Sequence, residues 1–268
     1  METTLENLVW CPNCKADYLS VGDSAERVLR CPKCQAQFPV SDGVADLIPD
    51  LKLARGRAQA LMESPTMAKI YAGKLWRRSF WQGALLGIQF EREAALIIQY
   101  AQVQPASKVL DLACASGIYT RVFAEAAPEG RVVGLDLSMP MLKVAADIER
   151  QVGKGNITYL RGTAQALPFT DSAFDCVNCC GALHLFPDPN GALAEISRVT
   201  KPGGRFTVAT FRRRDGSLGT ASLKTAESIG VNMFTPESVT RTLATVGFVD
   251  VHVHHDAARW MILSGAKG

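Results

Sequence analysis

Val109-Leu110-Asp111-Leu112-Ala113-Cys114-Ala115-Ser116-Gly117 is the stretch whose reading decides the fold. An apolar run that ends on an acid and then collapses into small residues is how a buried parallel strand turns tightly into a helix beside a bound nucleoside. From Lys108 onward, strand and helix signals alternate as a parallel α/β sheet requires. Strands are expected at residues 109–111, 131–136, 156–161, 174–180 and 205–210, and two alternating runs at 249–255 and 260–265 supply a closing antiparallel pair. A helix over about 119–127 points its N-terminus back at the turn. Asp136 ends the second strand nineteen residues after Gly117, where ligands of such sheets bind, and its carboxylate can accept both hydroxyl hydrogens of a ribose. The helix through Ala192, Ile196 and Val199 stops at Lys201-Pro202-Gly203-Gly204, and Thr235 and Pro236 read as the N-cap and first residue of a later helix.

From Asp111 the opening stretch resembles motif I of the class I S-adenosylmethionine (SAM) dependent methyltransferases, Asp/Glu-x-Gly-x-Gly-x-Gly, with Ala113 and Ala115 where the first two glycines would stand. Gly162-Thr163-Ala164-Gln165-Ala166-Leu167-Pro168-Phe169 resembles the family's Gly-Asp-Ala-Glu-x-Leu-Pro-Phe signature, with Thr163 for the usual Asp. The segment from Glu195 to Phe206 resembles the motif after the family's fourth strand. The resemblance implies a Rossmann-like, seven-stranded class I sheet and SAM as cofactor. It places Asp111, Ala113, Ala115 and Gly117 at the methionine end, Asp136 and Leu137 at the ribose, and Thr163 and Ala164 at the adenine edge. The amide of Ala164 then carries more of the adenine recognition, because a hydroxyl offers one oxygen and no charge. Pro168 and Phe169 are expected at the pocket's edge. Cys180 ends the strand beneath the transferred methyl, and the following loop, Gly181 to Pro189, contacts the acceptor. His184 in that loop has two readings, a packed histidine or a base or acceptor contact. Cys179 and Cys180 have no ligand-spaced partner and read as small buried hydrophobes rather than nucleophiles.

Ahead of the core, Cys11-Pro12-Asn13-Cys14 and Cys31-Pro32-Lys33-Cys34 are separated by sixteen residues. Two such knuckles place four thiolates around one ion, and Zn²⁺ suits a soft, redox-silent site. With Cys11, Cys14, Cys31 and Cys34 all engaged, no position stays open for substrate, so the zinc is structural. A ribbon this small cannot fold on apolar burial alone, so metal is expected to supply most of its folding energy. The segment from Leu29 to Pro49 resembles the zinc ribbons of small methyltransferase-activating proteins.

These signals divide the 268 residues into a ribbon (1–50), a helical linker and lid (51–106) and a methyltransferase core (107–268). In the linker, Pro65 interrupts one helical run, and a second runs through Phe90, Ala94, Ile97, Ile98 and Ala101. Between them, Tyr71, Trp76, Arg77 and Trp81 read either as interdomain packing or as a lid, in which Tyr71 or Arg77 meets the methionine carboxylate or an acidic substrate. No run of eighteen apolar residues occurs and the N-terminus is acidic, so a cytoplasmic chain without a membrane span is expected. The net charge of +3 is uneven: residues 1–50 carry four Lys/Arg against eight Asp/Glu, and residues 51–108 carry nine against three. An acidic ribbon argues against a nucleic-acid partner. Arg212-Arg213-Arg214 reads as a solvated turn or a contact for an anionic group.

The expected activity is methyl transfer to a small organic acceptor, in specialised metabolism. The alternative is an rRNA or tRNA base methyltransferase using the ribbon for recognition, since one group of such enzymes joins a four-Cys ribbon to this core. Over nearly its full length the chain resembles the ribbon-bearing methyltransferases of photosynthetic organisms, down to an ending like Met261-Ile262-Leu263-Ser264. The acceptor atom and oligomeric state are not legible.

Overall fold

Alternation of side chains along each strand decides which layer covers which face of the sheet. The computed structural model describes residues 8–16, 18–21, 28–50, 64–72, 79–213, 226, 228–257 and 259–268. Its strands are β1 (Ser20–Val21), β2 (Val28–Arg30), β3 (Gln37–Ser41), β4 (Val44–Asp46), β5 (Lys108–Leu112), β6 (Arg131–Asp136), β7 (Ile157–Arg161), β8 (Phe174–Cys180), β9 (Thr200–Phe211), β10 (Phe248–Ala257) and β11 (Trp260–Lys267). The helices are α1 (Pro65–Ala72), α2 (Phe80–Leu86), α3 (Phe90–Ala101), α4 (Ile118–Ala126), α5 (Met139–Val152), α6 (Pro189–Val199) and α7 (Pro236–Thr245).

The core strands lie in the order β7-β6-β5-β8-β9-β11-β10. The first five are parallel, and β11 and β10 pair antiparallel. This is the seven-stranded arrangement expected from the sequence. The chain leaves β5 for β6 and β7 on one side and returns to β8 on the other, so the strand order reverses at β5 and a crevice opens at the carboxyl ends there. In β5, Val109 packs with Tyr119 and Phe123 of α4 and with α3, whereas Leu110 and Leu112 face a second cluster with Leu193 and Ile196 of α6 and Leu243 of α7.

The sheet does not stop at seven strands. β4 pairs parallel with β7, Val44 opposite Tyr159 and Asp46 opposite Arg161, so β1 to β4 extend one sheet to eleven strands. Leu8, Val9, Leu29, Phe38 and Leu47 are almost fully buried and share a cluster with Phe169, Phe174 and Ile196. Apolar burial against the core therefore helps to hold the ribbon, alongside the metal expected at its four cysteines.

Pro65 opens α1, and Ser64 Oγ accepts the Met67 N–H at 3.1 Å as its cap. The run ahead of it, over 51–63, lies outside the described residues. β9 begins at Thr200, five residues before the expected start, and the register against β8 shifts between Phe174 and Cys176 to absorb the glycine turn, where Gly203 has φ +75°. Thr235 caps α7 with its side chain on the Ser238 N–H, as the sequence suggests. Among the described residues no helix is long and apolar enough to cross a membrane.

Candidate functional site

The turn after β5 carries left-handed backbone at three alternate positions: φ is +56° at Ala113, +47° at Ala115 and +72° at Gly117. These are the positions where the resemblance places glycines. Alanine tolerates such angles only at a cost. At Gly117 a side chain would be strained by the angle, and its Cβ would run into the Tyr159 hydroxyl and pack tightly against Arg121. The two alanines thus hold a backbone that disfavours them.

What keeps the turn in place is Asp136. Its Oδ2 accepts the Ala115 N–H at 2.8 Å and its Oδ1 accepts the Ser138 N–H at 2.7 Å, tying the end of β6 to the turn after β5 and to the cap of α5. A carboxylate offers about four acceptor positions, so this one suits the vicinal hydroxyls of a ribose as well as its backbone donors. Leu137, next in the chain, gives its carbonyl to Arg161 Nε at 3.0 Å.

Asp111 is 2% exposed and turned into the protein. Its oxygens accept the Thr120 hydroxyl at 2.6 Å and the Asn178 amide at 2.8 Å, and Thr207 donates to Asn178 Oδ1 at 3.0 Å. This buried chain spans α4, β5, β8 and β9. Burial pushes the Asp111 carboxyl up from 3.8 to about 6, against the pull of its two side-chain donors. Asn178 was legible as the one amide within an apolar strand; nothing in the sequence marked Thr120 or Thr207.

In the adenine-signature loop, Thr163 Oγ1 accepts the Gln165 N–H at 3.2 Å, so the hydroxyl shapes its own turn, and Ala164 is 8% exposed. Phe169 is fully buried edge-on to Phe174, and the Pro168 carbonyl accepts the Trp10 N–H at 2.9 Å. Pro168 and Phe169 therefore form a seam with the ribbon, a contact the sequence reading did not foresee.

Beyond β8, Cys180 Sγ donates to Glu93 Oε1 at 3.3 Å, and Trp260 Nε1 donates to the same oxygen at 2.8 Å. His184 is 5% exposed, its Nδ1 is 3.2 Å from Thr210 Oγ1, and its ring lies 4.4 Å from Phe211 and 6.3 Å from Trp260. The cluster of Glu93, Cys180, His184, Thr210, Phe211 and Trp260 adjoins the strand end where the methyl group is expected. Glu93 had a readable signal, an acid on the apolar face of α3 between Phe90 and Ala94. Tyr71 lies in α1, which packs on α5, and its side chain, with Trp76 and Arg77, is outside the described residues. Arg212 is engaged with Asp256, so the arginine run is not simply a solvated turn, and Arg214 is outside the described residues.

The four ribbon sulfurs lie within 4.8 Å of one another, with Cys11 to Cys34 at 3.5 Å and Cys14 to Cys31 at 3.7 Å. A tetrahedron with metal–sulfur bonds of about 2.3 Å has edges of about 3.8 Å. The Cys34 N–H donates to Cys31 Sγ at 3.5 Å, and such backbone donors pull that thiol down to about 7. The donor set fits a tetrahedral metal.

Two expectations follow from the turn and the buried acid. Ala115→Gly relieves left-handed strain of about 1–2 kcal/mol and returns about 0.5–1 kcal/mol through a more flexible unfolded chain, so urea denaturation should show a small gain in stability; a clear loss contradicts a strained alanine. Because the folded pKa of Asp111 lies above its unfolded value, the folded state takes up the proton first, and this group adds stability as pH falls from about 7 toward 4. Against Asp111→Asn, the wild type should gain about 3 kcal/mol over that window; a flat difference across the same pH range removes the buried ionised acid.

A family model described as a methyltransferase domain matches residues 110–208. An uncharacterized chloroplastic methyltransferase of Arabidopsis thaliana is 27% identical over 219 residues, 76% of this chain and 61% of that protein. A ubiquinone/menaquinone biosynthesis C-methyltransferase of Teredinibacter turnerae is 41% identical over 125 residues, 45% of this chain and 49% of that protein. The chain spans about half the length of the curated relatives it matches. Among solved structures, phosphoethanolamine N-methyltransferase 2 of Haemonchus contortus, in complex with SAM, shares the fold at TM-score 0.66 and 16% identity, over 76% of this chain and 57% of that one. The domain match falls on the strand order and strand-end acids described above, so residues 110–208 of this chain are similar to a methyltransferase domain and share the fold of SAM-bound methyltransferases.

Proposed function

We propose that this chain transfers a methyl group from SAM to a small organic acceptor. The observation that carries the reading is Asp136, at the carboxyl end of β6 beside the point of strand reversal, with its carboxylate locking the turn of residues 113–117. In this reading Asp136 and Leu137 hold the ribose, Thr163 and Ala164 the adenine edge, and the turn from Asp111 through Ala113 and Ala115 to Gly117 the methionine end. When bound, SAM supplies an electrophilic methyl on its sulfonium sulfur. The protein's own part is to align the acceptor with that methyl and to exclude water. Cys180, donating to Glu93, lines the site rather than attacking. His184, tied to Thr210 and set among Phe211 and Trp260, acts as a wall of the acceptor pocket, and the part in catalysis expected of Tyr71 rests on the sequence alone.

This aromatic wall favours a planar acceptor ring, in line with the quinone-pathway relatives, whose name specifies methylation on carbon. Zinc in the four-cysteine site would be structural, since four thiolates complete a tetrahedral shell and leave no position open for substrate.

Calorimetry should show SAM bound in the micromolar range, and Asp136→Ala should weaken it by at least about tenfold; equal affinity removes the ribose assignment. Labelled SAM incubated with the enzyme should label phenolic or quinol compounds in a small-molecule extract, whereas label confined to RNA would favour the RNA-base reading. Elemental analysis should give about one zinc per chain, and chelation should lower the melting temperature without abolishing the main transition, because the ribbon shares its apolar core with the sheet. Protein purified without chelators and devoid of zinc would sink the metal assignment.

A further inference from the structure

Arg161 is the last residue of β7, and it lies opposite Asp46 of the ribbon on one side and Asp136 of the core on the other. Its guanidinium spans the two. Nε donates to the Leu137 carbonyl at 3.0 Å, and Nη1 donates to Asp46 Oδ2 at 2.9 Å and to the Ile48 carbonyl at 3.5 Å. The backbone repeats the link, since the Arg161 carbonyl accepts the Leu47 N–H at 3.0 Å and the next amide, Gly162, donates to the Asp136 carbonyl at 3.0 Å. The Asp46 and Arg161 side chains are only 14% and 15% exposed, so the pair is shielded more than a surface ion pair.

Residues 162–170 begin at this point, and the ribbon grips their other end as well. The Trp10 N–H donates to the Pro168 carbonyl at 2.9 Å, the Thr170 N–H to the Leu8 carbonyl at 3.4 Å, and Val9 bridges to Phe169. Trp10 directly precedes Cys11, the first of the four clustered cysteines. The loop assigned to adenine is thus held at both ends by the ribbon, and the carbonyl that follows the ribose acid is held by the same arginine.

We propose that Asp46 and Arg161 are positioning residues for the cofactor: the ribbon sets SAM affinity by fixing, through this pair, the adenine loop and the peptide after Asp136. The inference rests on the assignment of Asp136, Thr163 and Ala164 to the nucleoside. A pair that serves only the fold changes the melting temperature and leaves the affinity of the folded protein alone. A positioning pair changes both the affinity and the protection of the loop.

The test uses the full, metal-loaded chain and S-adenosylhomocysteine as the calorimetric probe, with hydrogen exchange read over residues 162–170. Asp46→Ala should weaken binding by about 5- to 20-fold and Arg161→Lys, which keeps the charge but loses the planar fork, by a smaller factor, both with faster exchange in the loop. Asp175→Ala, which breaks an ion pair with Lys201 at the opposite ends of the strands, should cost stability and leave affinity within about twofold. Asp46→Ala that is folded at the assay temperature and binds like the wild type, while Asp136→Ala binds weakly, overturns the proposal. Undiminished binding by Asp136→Ala together with weakened binding by Asp46→Ala would instead place the fault in the ribose assignment.

Discussion

The two backbone hydrogen bonds taken by the Asp136 carboxylate are the constraint on which the rest of the site depends. A turn with left-handed angles at Ala113, Ala115 and Gly117 has little local reason to persist, since two of those residues disfavour the angle. The Ala115 N–H reaching Asp136 supplies the reason, and it does so from the strand next door. Because the same carboxylate caps the approach to α5 through the Ser138 N–H, the geometry after β5 and the geometry after β6 are one arrangement. The residue proposed to recognise the ribose thus also builds the turn beside it.

A second acid, Asp111, works in the opposite direction. It is buried, raised toward neutrality by the loss of water, and spends its oxygens on Thr120 and Asn178. Buried polar networks are costly unless each member is satisfied, and fully satisfied ones fix a unique arrangement. Here the chain from Thr207 through Asn178 and Asp111 to Thr120 locks β9, β8, β5 and the start of α4 in register, just below the crevice. The helix that leaves the turn is thereby held at its first turn by the acid that precedes the turn.

Much of this was readable from the sequence, for physical reasons that also mark where reading stops. Asp136, Gly117 and the Thr235 cap were legible because strand ends, left-handed glycines and helix starts are set by short-range chemistry. The four cysteines were legible because ligand spacing survives without knowledge of the fold. The left-handed strain at Ala113 and Ala115 was invisible, since an alanine gives no sign of its φ. The contact of Pro168 and Phe169 with the ribbon was invisible because a motif reports what its own loop does and not what packs against the loop's far side. Glu93 escaped for a different reason. Its place on the apolar face of α3 was visible, but its partners Trp260 and Cys180 are far away in the chain.

The ribbon's position follows from the edges of the sheet. A parallel sheet exposes a row of unpaired backbone groups at each edge, and proteins must cover, pair or charge them. The edge at β10 carries three histidines and two acids beside exposed Val249 and Val253, a bulged, largely polar strand poorly suited to pairing. The edge at β7 has no such protection, since Ile157, Thr158, Tyr159 and Leu160 form an apolar strand with a single hydroxyl pair among them. β4 pairs with it, and the connecting strands bury Leu29 and Phe38 on the α6 and α7 side of the sheet. β7 is also the strand that leads into the loop of Thr163 and Ala164. Covering this edge and supporting that loop are therefore one structural act, and it explains why a module of four strands and two Cys-x-x-Cys knuckles is joined here and not at the far side of the sheet.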